Sequence, residues 1–215
     1  MLRAMVAAVV LTAAACGTPP APPPTSTTER HVNPARVDRV RGQLPPGYEF
    51  GGVADATSPA ALWGYGPGWT ADPPRCAALA DPVPAATTTT GWSASGSGGI
   101  VYVVVLGAPE PVNLDAALRD ECLRWTVSGG QGQGVVTITP APTVDAATTV
   151  ATVTDSTTLV EGGTQTRSYA YTATAYLDSH VAFVVVVTDP GSPNPQLGQE
   201  FAAGLLVETV SALRG

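Results

Sequence analysis

The stretch IVYVVVL, residues 100–106, is apolar at every position but Tyr102 and shows no alternation. A strand with one wet face reads apolar–polar–apolar. A Val-rich run too short for a buried helix reads instead as a strand covered on both faces. VAFVVVV, residues 181–187, has the same character. Two such strands require a sheet with material packed against each side.

Working outward, TTTGWSAS at 88–95 precedes the first run, with the turn GSGG between them, and the pair reads as a hairpin. A short strand is expected at 48–54, and further strands at 135–139, 147–154, 166–177 and 180–187. In 166–177, Tyr169, Tyr171, Ala173 and Ala175 share one face, and Ala170, Thr172 and Thr174 the other. The glycine-rich residues 128–134 read as a flexible turn.

Three cap-then-proline signals predict short helices: Asn33-Pro34, Ser58-Pro59 leading to Leu62, and Asp72-Pro73-Pro74 leading through Cys76 to Leu79. An amphipathic helix is expected over 113–125, with Leu114, Leu118, Cys122 and Trp125 inward. Its outer face offers the i,i+4 pairs Asp115–Arg119 and Asp120–Arg124. A last helix is expected over 196–213. Residues 100–125 and 181–213 thus rhyme as strand, loop and helix. The expected fold class is α+β: one domain over 34–215, mostly antiparallel sheet with packed helices and one disulfide.

The N-terminus speaks about placement. MLRAMVAAVVLTAAAC, residues 1–16, has a basic start at Arg3, an apolar run and small residues before Cys16, the pattern of a secretory signal. The run is shorter than the roughly twenty residues a membrane span needs. AAACG at 13–17 resembles a bacterial lipobox, in which the cysteine is acylated and becomes the new N-terminus. Residues 1–15 are then the leader, and 16–33, rich in Pro and Thr, a partly extended tether. The implied location is the extracytoplasmic face of the cell membrane, with Cys16 holding the lipid.

Three cysteines minus one anchor leave Cys76 and Cys122. In an oxidising compartment a disulfide between them is the expectation. The chain-entropy model values a loop of that length at ~4 kcal/mol.

The chain has 215 residues, a formal net charge of -7, and arginine as its sole basic side chain. An acidic surface argues against nucleic acid and gives no polybasic contact with anionic lipid. The Ala, Gly, Pro, Val and Thr usage without lysine suggests a high-GC genome such as an actinobacterium.

No catalytic set emerges. Of the two histidines, His31 falls in the tether and His180 at a turn. Gly91-Trp92-Ser93-Ala94-Ser95 lacks the second glycine of a nucleophile elbow and lies in a hairpin. GQGQG at 130–134 precedes a Val-rich strand, whereas a phosphate loop must precede a helix. There is no His pair and no acidic ladder for a metal. The chain is therefore expected to be non-enzymatic, with no cofactor.

One segment is costly to leave exposed: Trp63, Tyr65 and Trp69 in WGYGPGW. These aromatics either plug the core or line a groove for an apolar or glycan ligand, with Tyr169 and Tyr171 as the opposite wall.

Taken together, the lipobox, the tether, LPPGY at 44–48, the 58–64 run, the Cys76/Cys122 pair and GIVYVV at 99–104 resemble a group of mycobacterial lipoproteins of unknown function. More remotely, the layout is similar to the extracellular sensor domain of the mycobacterial kinase PknH. The resemblance implies a disulfide-bonded α+β domain outside the membrane. Two tasks come first as expectations, binding or sensing a ligand or serving as a structural partner in an envelope protein complex, and an envelope hydrolase ranks behind them for want of a usable His or metal set.

Overall fold

The computed structural model describes residues 31–54 and 58–215. The leader, Cys16 and the tether up to residue 30 lie outside the described residues, so the anchor stands as a sequence expectation. The folded unit takes in residues 31–215. Val32 is buried, and the Asn33 N–H donates to the Leu213 carbonyl at 2.9 Å, so the last residues of the expected tether are packed.

Among the described residues, nine strands form one sheet. They are β1 (Glu49–Gly52), β2 (Thr70–Asp72), β3 (Thr88–Gly96), β4 (Gly99–Gly107), β5 (Arg124–Gly129), β6 (Gly132–Thr139), β7 (Thr148–Leu159), β8 (Gln165–Leu177) and β9 (His180–Thr188). Their order is β1-β3-β4-β9-β8-β7-β6-β5-β2, and every adjacent pair is antiparallel. The two apolar runs pair with each other near the middle, Val103 opposite Val184 and Val104 opposite Phe183. Both faces there are buried, as continuous apolarity requires.

Helical layers cover the two faces. On one side lie the 3-10 helix Pro34–Gln43, which buries Val37 and Val40, and the C-terminal helix. The short helices α1 (Pro59–Leu62), α2 (Ala77–Ala80) and α3 (Ala116–Glu121) cover the other face, and α4 (Gln199–Arg214) is that C-terminal helix. This is the expected α+β domain, weighted toward sheet. Two caps work as read: the Asn33 side chain accepts from Ala35 N–H at 3.1 Å, and the Ser58 hydroxyl from Ala61 N–H at 3.3 Å.

The helix expected over 113–125 needs correction. Helix α3 starts after Asp115, whose carboxylate caps Ala117 N–H at 2.9 Å, and ends at Glu121. The next turn gives way to β5, in which Trp125 and Val127 are buried between exposed Arg124, Thr126 and Ser128. That is a period of two, and a ladder with β6 satisfies the backbone. The rhyme between 100–125 and 181–213 therefore does not hold. Nor is Asp72 a cap: it ends β2, and Pro73 precedes the 3-10 turn Pro74–Cys76. Cys76 and Cys122 are disulfide-bonded with Cα atoms 5.7 Å apart, both fully buried. Among the described residues, no helix is long and apolar enough to cross a membrane.

Candidate functional site

The aromatic segment goes into the core. Trp63 is 5% exposed and Tyr65 3%, and each finds a polar partner from the sheet beneath. Trp63 Nε1 donates to Thr172 Oγ1 at 2.9 Å, and the Tyr65 hydroxyl meets Ser156 Oγ at 2.9 Å. Trp63 also packs against Trp125 at 6.3 Å between ring centroids. Trp69 is half-buried at the margin of the same cluster. Burial pushes the Tyr65 phenol above its ordinary range, so it stays neutral.

The glycine stretch is what receives this plug, a role the sequence reading missed. Only residues 130–131 turn; Gly129 ends β5 while Gly132 and Gly134 lie in β6. A Cβ on Gly134 would strike the Tyr65 hydroxyl, and one on Gly129 would come within 2.9 Å of Trp69 Cβ. The clue was present as two aromatics on glycine hinges and three glycines at alternate positions.

Tyr169 and Tyr171 do not join Trp63 and Tyr65. Thr172 and Ser168, opposite Ser156, face the aromatic plug, so the intervening tyrosines face the other side of the sheet. No groove can have these two sets as its walls. Tyr171 instead packs at the edge of the cluster under α4.

That second side is covered only in part. Helix α4 and the 3-10 helix Pro34–Gln43 lie over β3, β4, β9 and β8. Beyond them, β7, β6, β5 and β2 present an open surface whose contents follow from the register. One row across the strands runs Tyr169, Asp155, Val135, Thr126. The next runs Arg167, Thr157, Gln133, Ser128, Thr70. Apart from Tyr169, which lies beyond its rim, and Thr70, which lines the neighbouring hollow, these residues floor a trough of about 750 Å³, joined at its end by that second hollow of about 550 Å³ near Gly130–Gln133.

Arg167 organises the trough. Its Nε donates to Asp155 Oδ1 at 2.8 Å and its Nη2 to Asp155 Oδ2 at 2.5 Å, a bidentate pair. Its guanidinium lies 5.1 Å from the Tyr169 ring centroid. The hydrogen bonds from Arg167 hold the Asp155 carboxyl below the usual carboxylate range, with Arg124 adding to the effect. At neutral pH the pair is one anion and one cation, locked together.

Elsewhere the chemistry is sparse. His180 Nδ1 meets Ser179 Oγ at 3.2 Å, but these are adjacent residues of the β8–β9 turn, and Asp178 precedes them in the same turn. Among the described residues, no group of three or more His, Cys, Asp or Glu side chains is placed to hold a metal ion.

No curated protein matches the chain. Among solved structures, it is similar to an uncharacterized protein of Mycobacterium smegmatis, the Rv0999 ortholog. The two share 25% identity over 86% of this chain and 98% of the other, with a TM-score of 0.62. It is also similar to the extracellular domain of PknH from Mycobacterium tuberculosis, at 16% identity over 84% of this chain and 92% of the other, with a TM-score of 0.46. The resemblance to uncharacterized mycobacterial proteins read from the sequence thus reappears in the first of these. A family model described as a domain of unknown function, DUF5642, matches residues 33–214, and the chain belongs to that family.

Proposed function

We propose that the protein is a non-enzymatic, lipid-anchored component of the cell envelope whose domain binds or senses a polar ligand in the open trough. The single observation that carries the reading is the half-covered sheet. A domain that packs helices over one half of a face and leaves a polar floor on the other half keeps that floor for contact. The disulfide supports placement in an oxidising compartment, and the sequence of residues 1–16 supports lipid attachment at Cys16. Of the aromatics first considered, Trp63 and Tyr65 serve the core, and Tyr169 moves to the binding side.

Binding is favoured over catalysis by the state of Asp155. A general acid or base works best with a pKa near the working pH, whereas this carboxyl is held low by a bidentate guanidinium.

The test has two arms. Intact mass of membrane-extracted protein should show residues 1–15 removed and acyl mass on Cys16, and Cys16→Ser should release the protein from membranes. Hydrogen exchange with an envelope extract should protect β5 to β8. A soluble, unacylated wild type would overturn the anchor, and no protection of those strands would overturn the binding face. A second reading, docking onto an envelope protein, draws on Leu159 and Val160, exposed near the end of the β7–β8 hairpin. Cross-linking from that end in intact cells should then recover one specific neighbour.

A further inference from the structure

Building on the trough as the binding face, we propose that its occupant is a neutral, hydroxyl-rich glycan chain laid across β5 to β8. Charge is the first argument. The Asp155–Arg167 pair cancels itself inside the trough, and the flanking charges on the same face, Asp72 opposite Thr126 and Arg124 opposite Thr137, are again one acid and one base, so the face carries no net charge to select a phosphate or an amine. The flanking groups are hydroxyls and carboxamides: Thr126, Ser128, Gln133, Thr157 and Gln165. Each can both donate and accept, as a ring of sugar hydroxyls demands.

The backbone supplies the second argument. Across β5 to β7 the floor residues are in ladders with strands on both sides, while at the rim Gln165–Ser168 of β8 run past β9 and pair in the sheet with β7 alone. An extended peptide binds sheets by main-chain pairing at an edge. Over β5 to β7 the trough has no such edge, and main-chain pairing is open only along the short β8 rim, residues 165–168. An acyl chain is disfavoured because Thr126, Ser128, Gln133 and Arg167 are all exposed and polar, with only Val135 offering apolar surface among them.

Shape is the third. At the rim of the polar rows, the Tyr169 ring and the Arg167 guanidinium, 5.1 Å from the ring centroid, supply planar groups. The C–H face of a sugar ring lies well on such a plane while its edge hydroxyls reach Asp155 and Gln133. A trough of about 750 Å³ falls in the range of small-ligand sites and suits a short oligosaccharide.

The test is calorimetric titration of the full-length, detergent-extracted protein with three probes: maltotetraose, chitotetraose and tetragalacturonate. At least one neutral tetrasaccharide should bind. Arg167→Ala should weaken it about tenfold or more, the scale of one lost charge-assisted hydrogen bond. Gln133→Ala, at an exposed position, should weaken it by a smaller factor, and Arg39→Ala on the distant 3-10 helix should leave it unchanged. Binding of neither neutral probe, binding of the anionic probe alone, or equal binding by Arg167→Ala would overturn the glycan assignment. If an envelope extract still protects β5 to β8 in hydrogen exchange while neither neutral sugar binds, the glycan class fails and the binding face stands. If nothing protects those strands, both fail.

Discussion

Tyr65 and Gly134 show how one side-chain atom fixes a neighbour's identity. The phenol reaches Ser156 across a strand position that must be bare, because any Cβ at Gly134 would occupy the hydroxyl's place. The surroundings are sheet backbone, which cannot move aside cheaply. Gly134→Ala should therefore destabilise the fold by about 2 kcal/mol through overpacking, read as a lower urea midpoint at constant slope. Tyr65→Phe removes only the hydroxyl and should cost about 1 kcal/mol. The double variant should recover part of the Gly134→Ala loss, since the clash is with the atom that Phe lacks. Simple additivity of the two losses would show that the clash lies elsewhere. The spacing of the glycines was visible in the sequence; their purpose was not, because residues 63–69 and 129–134 are distant in the chain and meet through the pairing of β2 with β5.

At the scale of elements, what could be read from the chain depended on whether the signal was local. The runs at 100–106 and 181–187 announce buried strands by themselves, since no cap or partner is needed to see seven-residue runs interrupted at most by Tyr102. Residues 113–125 mislead because Leu114, Leu118, Cys122 and Trp125 fit a helical period while Trp125 and Val127 fit a strand. The ladder with β6 decides between them. The disulfide then ties this region down from the other side: Cys122 follows α3, and Cys76 precedes α2. Above it, Arg75 pairs with Glu121 and, at 3.4 Å, with Asp115, with all three side chains about half exposed. Two covers of one junction should behave differently. Cys76→Ser with Cys122→Ser should cost about 2–5 kcal/mol, whereas Arg75→Ala should cost less than about 1 kcal/mol and lose its effect in high salt. Equal losses in a denaturant titration would mean that the ion pairs, rather than the cross-link, hold α3 to the 3-10 turn.

Across the whole molecule, the start and end of the folded unit meet beside the β8–β9 turn, and that meeting gives the fold a pH response. Val32 and Asn33 lie along the end of α4, which brings His31 close enough to His180 for their charges to interact. Burial is the largest influence lowering the His180 pKa below its ordinary 6.5, followed by the charge of His31; Asp178 pulls the other way, and Ser179 Oγ sits 3.2 Å from Nδ1. An imidazole that takes a proton less readily when folded makes the unfolded chain the better acceptor, so acid favours unfolding. The penalty is absent above the unfolded value of about 6.5. It grows as pH falls through that value and is complete below the folded one. Carboxylates act lower on the scale and in opposition. Asp155, held low, loses its stabilising pair as pH falls toward its own range, while Asp81, raised by burial, gains on protonation. Across the window from pH 7.5 to 5, the loss as pH falls is the part assigned to His180, since protonation of Asp81 acts in the opposite direction. The melting temperature should therefore fall across that window in the wild type, and His180→Asn should flatten the slope. His31→Ala should reduce the slope without abolishing it, because burial of His180 remains. A wild-type melting temperature that stays constant from pH 7.5 to 5 would mean that the imidazole protonates in the fold as freely as in the unfolded chain.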